Sequence, residues 1–206
     1  MQNMIVLKYT KTNGAQFLAH LDILRHIGRT MRRAGVKVAL SQGYHPHMLV
    51  YLSAPMGLGI TSLAEYCQIE TDESPEVVMQ KFNEFSPSGL KCVGAWKTQG
   101  KVGIASDIVK AEYLVKGINH FDVDEFLKRD EFIILKKDGT EKNVRELIYS
   151  VEWVGEDLKC VIGFGNGLRI EKFTENLIAE YGGGEIEVVK TRGLTADEKD
   201  FEDGLK

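Results

Sequence analysis

The chain has 206 residues, with 26 Lys and Arg against 30 Asp and Glu for a net charge of −4, 43% hydrophobic residues, 27% charged residues and only four prolines. This suits one large globular domain or two small ones, and it argues against long disordered stretches. No run approaches the ~18 apolar residues of a membrane span. The opening MQNMIVLKYTKTNG has neither a long apolar core nor a cleavage pattern, so the expected location is the cytoplasm.

In chain order, Met4 to Thr10 reads as a strand, Asn13-Gly14 is a turn signal, and Ala15 to Leu18 continues the strand. From Ala19 to Ala34 apolar residues recur at helical spacing, with Leu21, Leu24, Ile27 and Met31 on one stripe and Asp22, Arg25, Arg29 and Arg32 or Arg33 on the other. Gly35 is a natural stop. Val36 to Leu40 is a short extended piece, followed by the loop Ser41-Gln42-Gly43-Tyr44-His45-Pro46-His47 and a strand from Met48 to Ser53. Ser62 to Thr71 is a strand, Ser74-Pro75 opens a helix, and Leu90 to Lys97 is a strand. This order is the split βαβ pattern, β-α-β-β-α-β.

Residues 100–110 read as a linker, after which a similar order recurs. Ala111 to Gly117 is a strand, Val123 to Lys128 a short helix and Phe132 to Lys136 a strand. Val144 to Val154 and Leu158 to Phe164 are a strand pair, Ile170 to Tyr181 is a helix, Gly182 to Gly184 stops it, and Ile186 to Lys190 is a last strand. The expected class is α+β, as tandem ferredoxin-like units with antiparallel sheets. One unit covers residues 1–99 and the second, with an extra strand, covers 111–194. An acidic tail at 195–206 is expected to fray.

Charge and unusual residue types concentrate in one region. Residues 1–60 hold seven basic residues against the single acid Asp22, a balance of +6, so the remainder carries −10. Such asymmetry points to an anionic partner, although a solvated helix face gives the same pattern. Arginines three and four apart share a face and offer bidentate contacts to phosphates, unless Asp22 neutralises Arg25. His45 and His47 have a metal-ligand spacing, with His20, Asp22 or Glu65 as a third ligand. Two histidines also suit acid–base work, and the alternative is a loop whose histidines cap backbone groups. Gly43 and Pro46 bracket Tyr44, which then serves either base stacking or the core. Gly163 to Gly167 precedes a helix in the manner of a phosphate loop, but it lacks the P-loop Lys and fits a hairpin-to-helix turn better. Lys190-Thr191-Arg192 is a second basic patch. Cys67, Cys92 and Cys160 are far apart in apolar runs and read as buried thiols, without the local motif of an iron–sulfur cluster or a zinc ribbon.

Taken together, Phe17-x-x-His20-Leu21-Asp22, Arg25, Arg29, Arg32-Arg33-Ala34, Ser41-x-Gly43-Tyr44-x-Pro46-His47, Pro55-x-Gly57-x-Gly59, Glu65 and Thr191-Arg192 resemble the bacterial radical-SAM-associated proteins, a domain of unknown function. These are fused to, or encoded beside, a radical S-adenosylmethionine protein. The resemblance covers essentially the whole chain and implies a shared site at His20, Asp22, Arg25, Ser41, Gly43, His47 and Glu65. Ala19 stands where serine is common, His45 where asparagine is common and Met48 where proline is common, so the resemblance does not imply a metal site built on His45. The resemblance implies a partner, the radical SAM protein, and no cofactor in this chain. Two functions compete. One is a non-catalytic module that binds RNA or another anion through Arg25, Arg29, Arg32, Arg33, Ser41, Gly43, Tyr44, His45, His47, Glu65 and Arg192. The other is a metal-independent RNA-processing enzyme with His20, His47 and Asp22 as catalytic candidates. A metal site at His45, His47 and His20 or Glu65 is a third reading.

Overall fold

A computed structural model describes residues 3–205 apart from 137 and 166. The continuous apolar run at the start forms β1 (Asn3–Lys11), a strand covered on both faces, with Met4, Ile5, Val6 and Leu7 fully buried. The expected continuation at Ala15 is instead a turn of 3-10 helix, Ala15–Phe17, because Asn13 and Gly14 both adopt positive φ and swing the chain off the sheet. Then come α1 (His20–Arg33), β2 (Val50–Leu52), β3 (Thr61–Glu70), α2 (Pro75–Phe85) and β4 (Cys92–Gln99). The start of α2 follows the sequence signal, since Ser74 Oγ accepts from the Val77 N–H and Pro75 occupies the first turn. The second half holds β5 (Lys110–Ile118), α3 (Val123–Leu127), a hairpin of β6 (Ile133–Leu135) and β7 (Glu141–Asn143), then β8 (Ile148–Val154), β9 (Asp157–Gly163), α4 (Ile170–Tyr181) and β10 (Gly183–Leu194).

The two halves do not keep separate sheets. One sheet runs β4-β1-β3-β10-β5-β9-β8, with β2 also on β3. Each half shows the same internal order: β4-β1-β3-β2 in the first and β10-β5-β9-β8 in the second. The pairings within a half are antiparallel, and the halves join through a short parallel contact, Val189 with Thr61 and Lys190 with Ser62. Helices α1 and α2 pack on Ile5, Leu7 and Tyr9, while α3 and α4 pack on Tyr113, Val115 and Cys160. The alternate residues Val6, Ala64 and Tyr66 face the other way. They are covered there by Ile104 and Ile108 of the connecting segment and by Phe201.

Several expectations need correction. The 100–110 segment is packed, with Ile104 and Ile108 buried. The acidic tail is docked through a 3-10 turn, Phe201–Leu205, where Glu202 accepts from Lys8 Nζ and from the Tyr66 hydroxyl. The strand expected from Val144 starts only at Ile148. Residues Arg145–Leu147 form a 3-10 turn whose Arg145 guanidinium donates to the carbonyls of Leu127, Arg129 and Ile148. Strand β10 begins at Gly183, directly after α4, and extends to Leu194. Val36 to Leu40 stays extended, with a single bridge from Leu40 to Met48. Among the described residues, no helix is long and apolar enough to cross a membrane.

Candidate functional site

Helix α1 has two working faces. Ile23, Ile27, Thr30 and Met31 are buried against the sheet. At about 100° per residue, Leu21, Leu24, Arg25, Gly28, Arg29 and Arg32 fall on a separate arc of about 140°. The expected apolar stripe is therefore split. Ile27 and Met31 enter the core, Leu21 stays 60% exposed, and Leu24 is half-buried beside the arginines.

Leu24, Arg25, Gly28, Arg29 and Arg32 form one wall of a groove of about 330 Å³, and Pro46, His47, Met48 and Val50 form the other. The sequence-predicted arginines 25, 29 and 32 thus meet His47 in space. The loop carrying His47 is fixed from within: Ser41 Oγ accepts the His47 backbone N–H at 3.0 Å and lies 2.8 Å from His47 Nδ1. The Ser41 N–H donates to the His47 carbonyl. Gly43 supplies the left-handed backbone angle (φ 129°) that lets the loop turn. Tyr44 at its tip is fully exposed, edge-on to the exposed His45, so Tyr44 is not a core plug. Asp22 accepts from Arg25 at 2.9 Å and offsets part of the charge.

A second cavity, about 450 Å³, adjoins this groove and shares its Leu24 and Val50 walls. His20 and Leu21 line it from α1, Tyr51 and Leu52 from β2, Gln68 from β3, and residues 101–106 from the segment after β4. Sequence reading missed Gln68 and Lys101 here; a polar residue inside an apolar strand was the available signal for Gln68. A further surface cleft, about 810 Å³, lies near the start of β1. It sets Lys37 and Lys81 against Glu70, Asp72 and Glu73, and Lys81 is already paired with Glu73 at 2.7 Å, so it offers little net charge to a ligand.

Three candidate residues lie elsewhere. Arg33 donates to the Phe85 carbonyl at 2.9 Å and ties α1 to the end of α2. Arg192 is held by Asp200 at 2.8 and 3.1 Å, with Glu112 at 3.5 Å. Glu65 is buried where the halves meet. There it accepts from Ser62 Oγ and from Lys190 Nζ, both at 2.9 Å, in an ion pair whose side chains are only 5% and 7% exposed. Burial lowers the pKa of the neighbouring Lys11 against the pull of Glu65. Burial also raises the Tyr9 and Tyr113 phenols, with the Glu65 charge adding to the effect. Sequence reading missed Lys11, Ser62 and Lys190 as members of this cluster.

The metal reading does not assemble: among the described residues, no group of three or more His, Cys, Asp or Glu side chains is placed to hold an ion. The three cysteines are buried and free. Burial pushes the Cys92 thiol up to about 11 and raises Cys67 and Cys160 further, which leaves them as inert core thiols. Asn166 of the glycine-rich run lies outside the described residues. Within that run, the Leu168 N–H donates to the Gly165 carbonyl, as in a tight turn.

Comparison with known proteins finds one family, described as "Uncharacterized protein conserved in bacteria (DUF2344)", whose model matches residues 4–178. No curated protein matches the chain. Similar solved structures include a chain of "Crystal Structure of a Cbf5-Nop10-Gar1 Complex", at 12% identity and TM-score 0.48, covering 96% of this chain and 50% of that one. Another is "Structure of H/ACA RNP bound to a substrate RNA containing 2'-deoxyuridine", at 13% identity and TM-score 0.47, covering 96% and 49%. A third is an unknown protein from Galdieria sulphuraria, at 12% identity and TM-score 0.27, covering 92% and 98%. The chain thus spans about half the length of the first two, and likenesses this distant carry no argument about function.

Proposed function

The chain belongs to the bacterial family of uncharacterized proteins DUF2344, and from that premise we propose that it is a non-catalytic cytoplasmic module that binds RNA through the α1 groove and presents it to a radical SAM protein. The observation that carries the binding half is the convergence of exposed Arg25, Arg29 and Arg32 with His47 on one groove. Guanidinium groups in a row suit a backbone of phosphates, and Tyr44, fully exposed at the tip of the loop that carries His47, suits stacking of an unpaired base. The partner rests on the motif resemblance. The repeated strand order of the two halves supports reading the chain as a duplicated ferredoxin-like unit fused into one sheet.

Binding is favoured over RNA cleavage by the two histidines because His20 and His47 line different cavities and His47 Nδ1 is engaged by Ser41. The test is RNA affinity across a salt series. The double change Arg29→Ala with Arg32→Ala is expected to weaken binding about tenfold or more. It should also flatten the plot of log affinity against log salt by roughly 0.7 for each lost phosphate contact. Unchanged affinity and slope would sink the reading. Purification of the tagged chain from cells tests the partner, with recovery of a radical SAM protein expected.

A further inference from the structure

We propose that the cavity beside the arginine groove receives one unpaired base of the bound RNA, with the phosphates on either side held by the α1 arginines and by Lys101. The inference rests on the RNA-binding reading and names the part of the ligand that confers selectivity. The shape of the site carries it. Leu21, Leu24 and Leu52 give the cavity apolar walls, and cationic side chains border it. Arg25 and Arg29 stand in the adjoining groove past the shared Leu24. Lys101 lines the cavity itself, its Nζ 3.8 Å from the centre of the Tyr51 ring. A nucleotide within a strand brings the matching combination, a flat base flanked by phosphates.

Gln68 supplies the polar contact an aliphatic side chain would not need. It lines the cavity while only 1% exposed. The one hydrogen bond of its side chain among the described residues is a long contact of 3.5 Å from Nε2 to Thr98 Oγ1. An amide offers a donor and an acceptor side by side, the pattern that a base edge presents in return. A paired base cannot enter, because the duplex keeps its faces stacked and its Watson–Crick edge occupied. The cavity therefore selects single-stranded or looped RNA. An acidic peptide with a central leucine offers a similar combination, and its backbone amides also answer Gln68, so competition between the two occupants is part of the test.

The test uses the full chain and a short single-stranded RNA carrying one 2-aminopurine, compared with the same strand made abasic at that position. The intact strand is expected to bind about tenfold more tightly than the abasic one, with a change in aminopurine fluorescence. Ala105→Trp, which fills the cavity from an exposed position, should reduce the intact strand to the affinity of the abasic one. Equal affinity of the two strands, with binding still salt-dependent, overturns the base pocket while sparing the groove. No binding of either strand overturns both. Displacement of the aminopurine by an acidic leucine-containing peptide at lower concentration than by unlabelled RNA overturns the base in favour of a protein segment.

Discussion

At the scale of single residues, the most consequential group outside the groove is the buried cluster around Glu65. Its carboxylate serves Lys190 and Ser62 directly, and Lys11 lies within its field. Removing one partner of a buried ion pair strands the other, so Glu65→Ala is expected to cost about 3–5 kcal/mol in urea unfolding. Joint replacement by Glu65→Leu and Lys190→Met should recover most of that loss, since no charge of the pair is then left alone. Lys11 behaves in the opposite sense. Burial lowers its pKa, so between the folded and unfolded values the unfolded chain binds more protons, and stability rises with pH through that window. At neutral pH the charged amine is therefore a cost, and Lys11→Met should stabilise the protein. The gain should shrink as pH rises past the lowered pKa, and paired urea titrations at neutral and alkaline pH measure it. A gain that does not change with pH would show that the charge is not its source.

At the scale of the element, α1 shows what could be read in advance and what could not. Its extent, its arginine ladder and its stop at Gly35 follow from spacing and local preference alone. Which of its two apolar stripes enters the core depends on the tilt of the helix on the sheet, a tertiary property. Leu21 and Leu24 have the spacing of core residues, although they line the surface cavity beside the arginine groove. The ends of β8 and β10 were missed for a similar reason: the Arg145 contacts and the pairing of β10 with β5 are long-range and leave no local periodicity. Arg33 follows the same rule, since its partner is the end of another helix. One local feature was legible and is testable. Ala19 is the N-cap of α1, in extended conformation and without a side-chain cap. Ala19→Ser fits that backbone and offers an acceptor to the free N–H groups, so it should stabilise the protein by about 1 kcal/mol. A shift of the urea midpoint without a change in slope is the expected signature.

At the scale of the molecule, the question is whether two topologically similar halves behave as two bodies. Their repeated strand order invites that view, as does the linker-like composition of residues 100–110. Three contacts argue for one body. The sheet is continuous through β3 and β10. The Glu65–Lys190 pair spans that junction and would lie open to water if the halves parted. The tail returns from the second half to the first, placing Phe201 edge-on against Tyr66 and Glu202 on Lys8 and Tyr66. Separation would expose all three together, so they should fail together and unfolding should be cooperative. The two tryptophans make this measurable, because Trp96 lies on β4 of the first half and Trp153 on β8 of the second. With Trp153→Phe the fluorescence reports the first half, and with Trp96→Phe the second. The urea transitions are expected to coincide once each variant is compared with its own far-UV signal. Adding Phe201→Ala and Lys190→Ala should pull them apart, with the half that retains the larger share of its core unfolding last. Transitions already separate without those two changes would mean that the shared sheet does not couple the halves, and that the groove on α1 is carried by a domain able to stand alone.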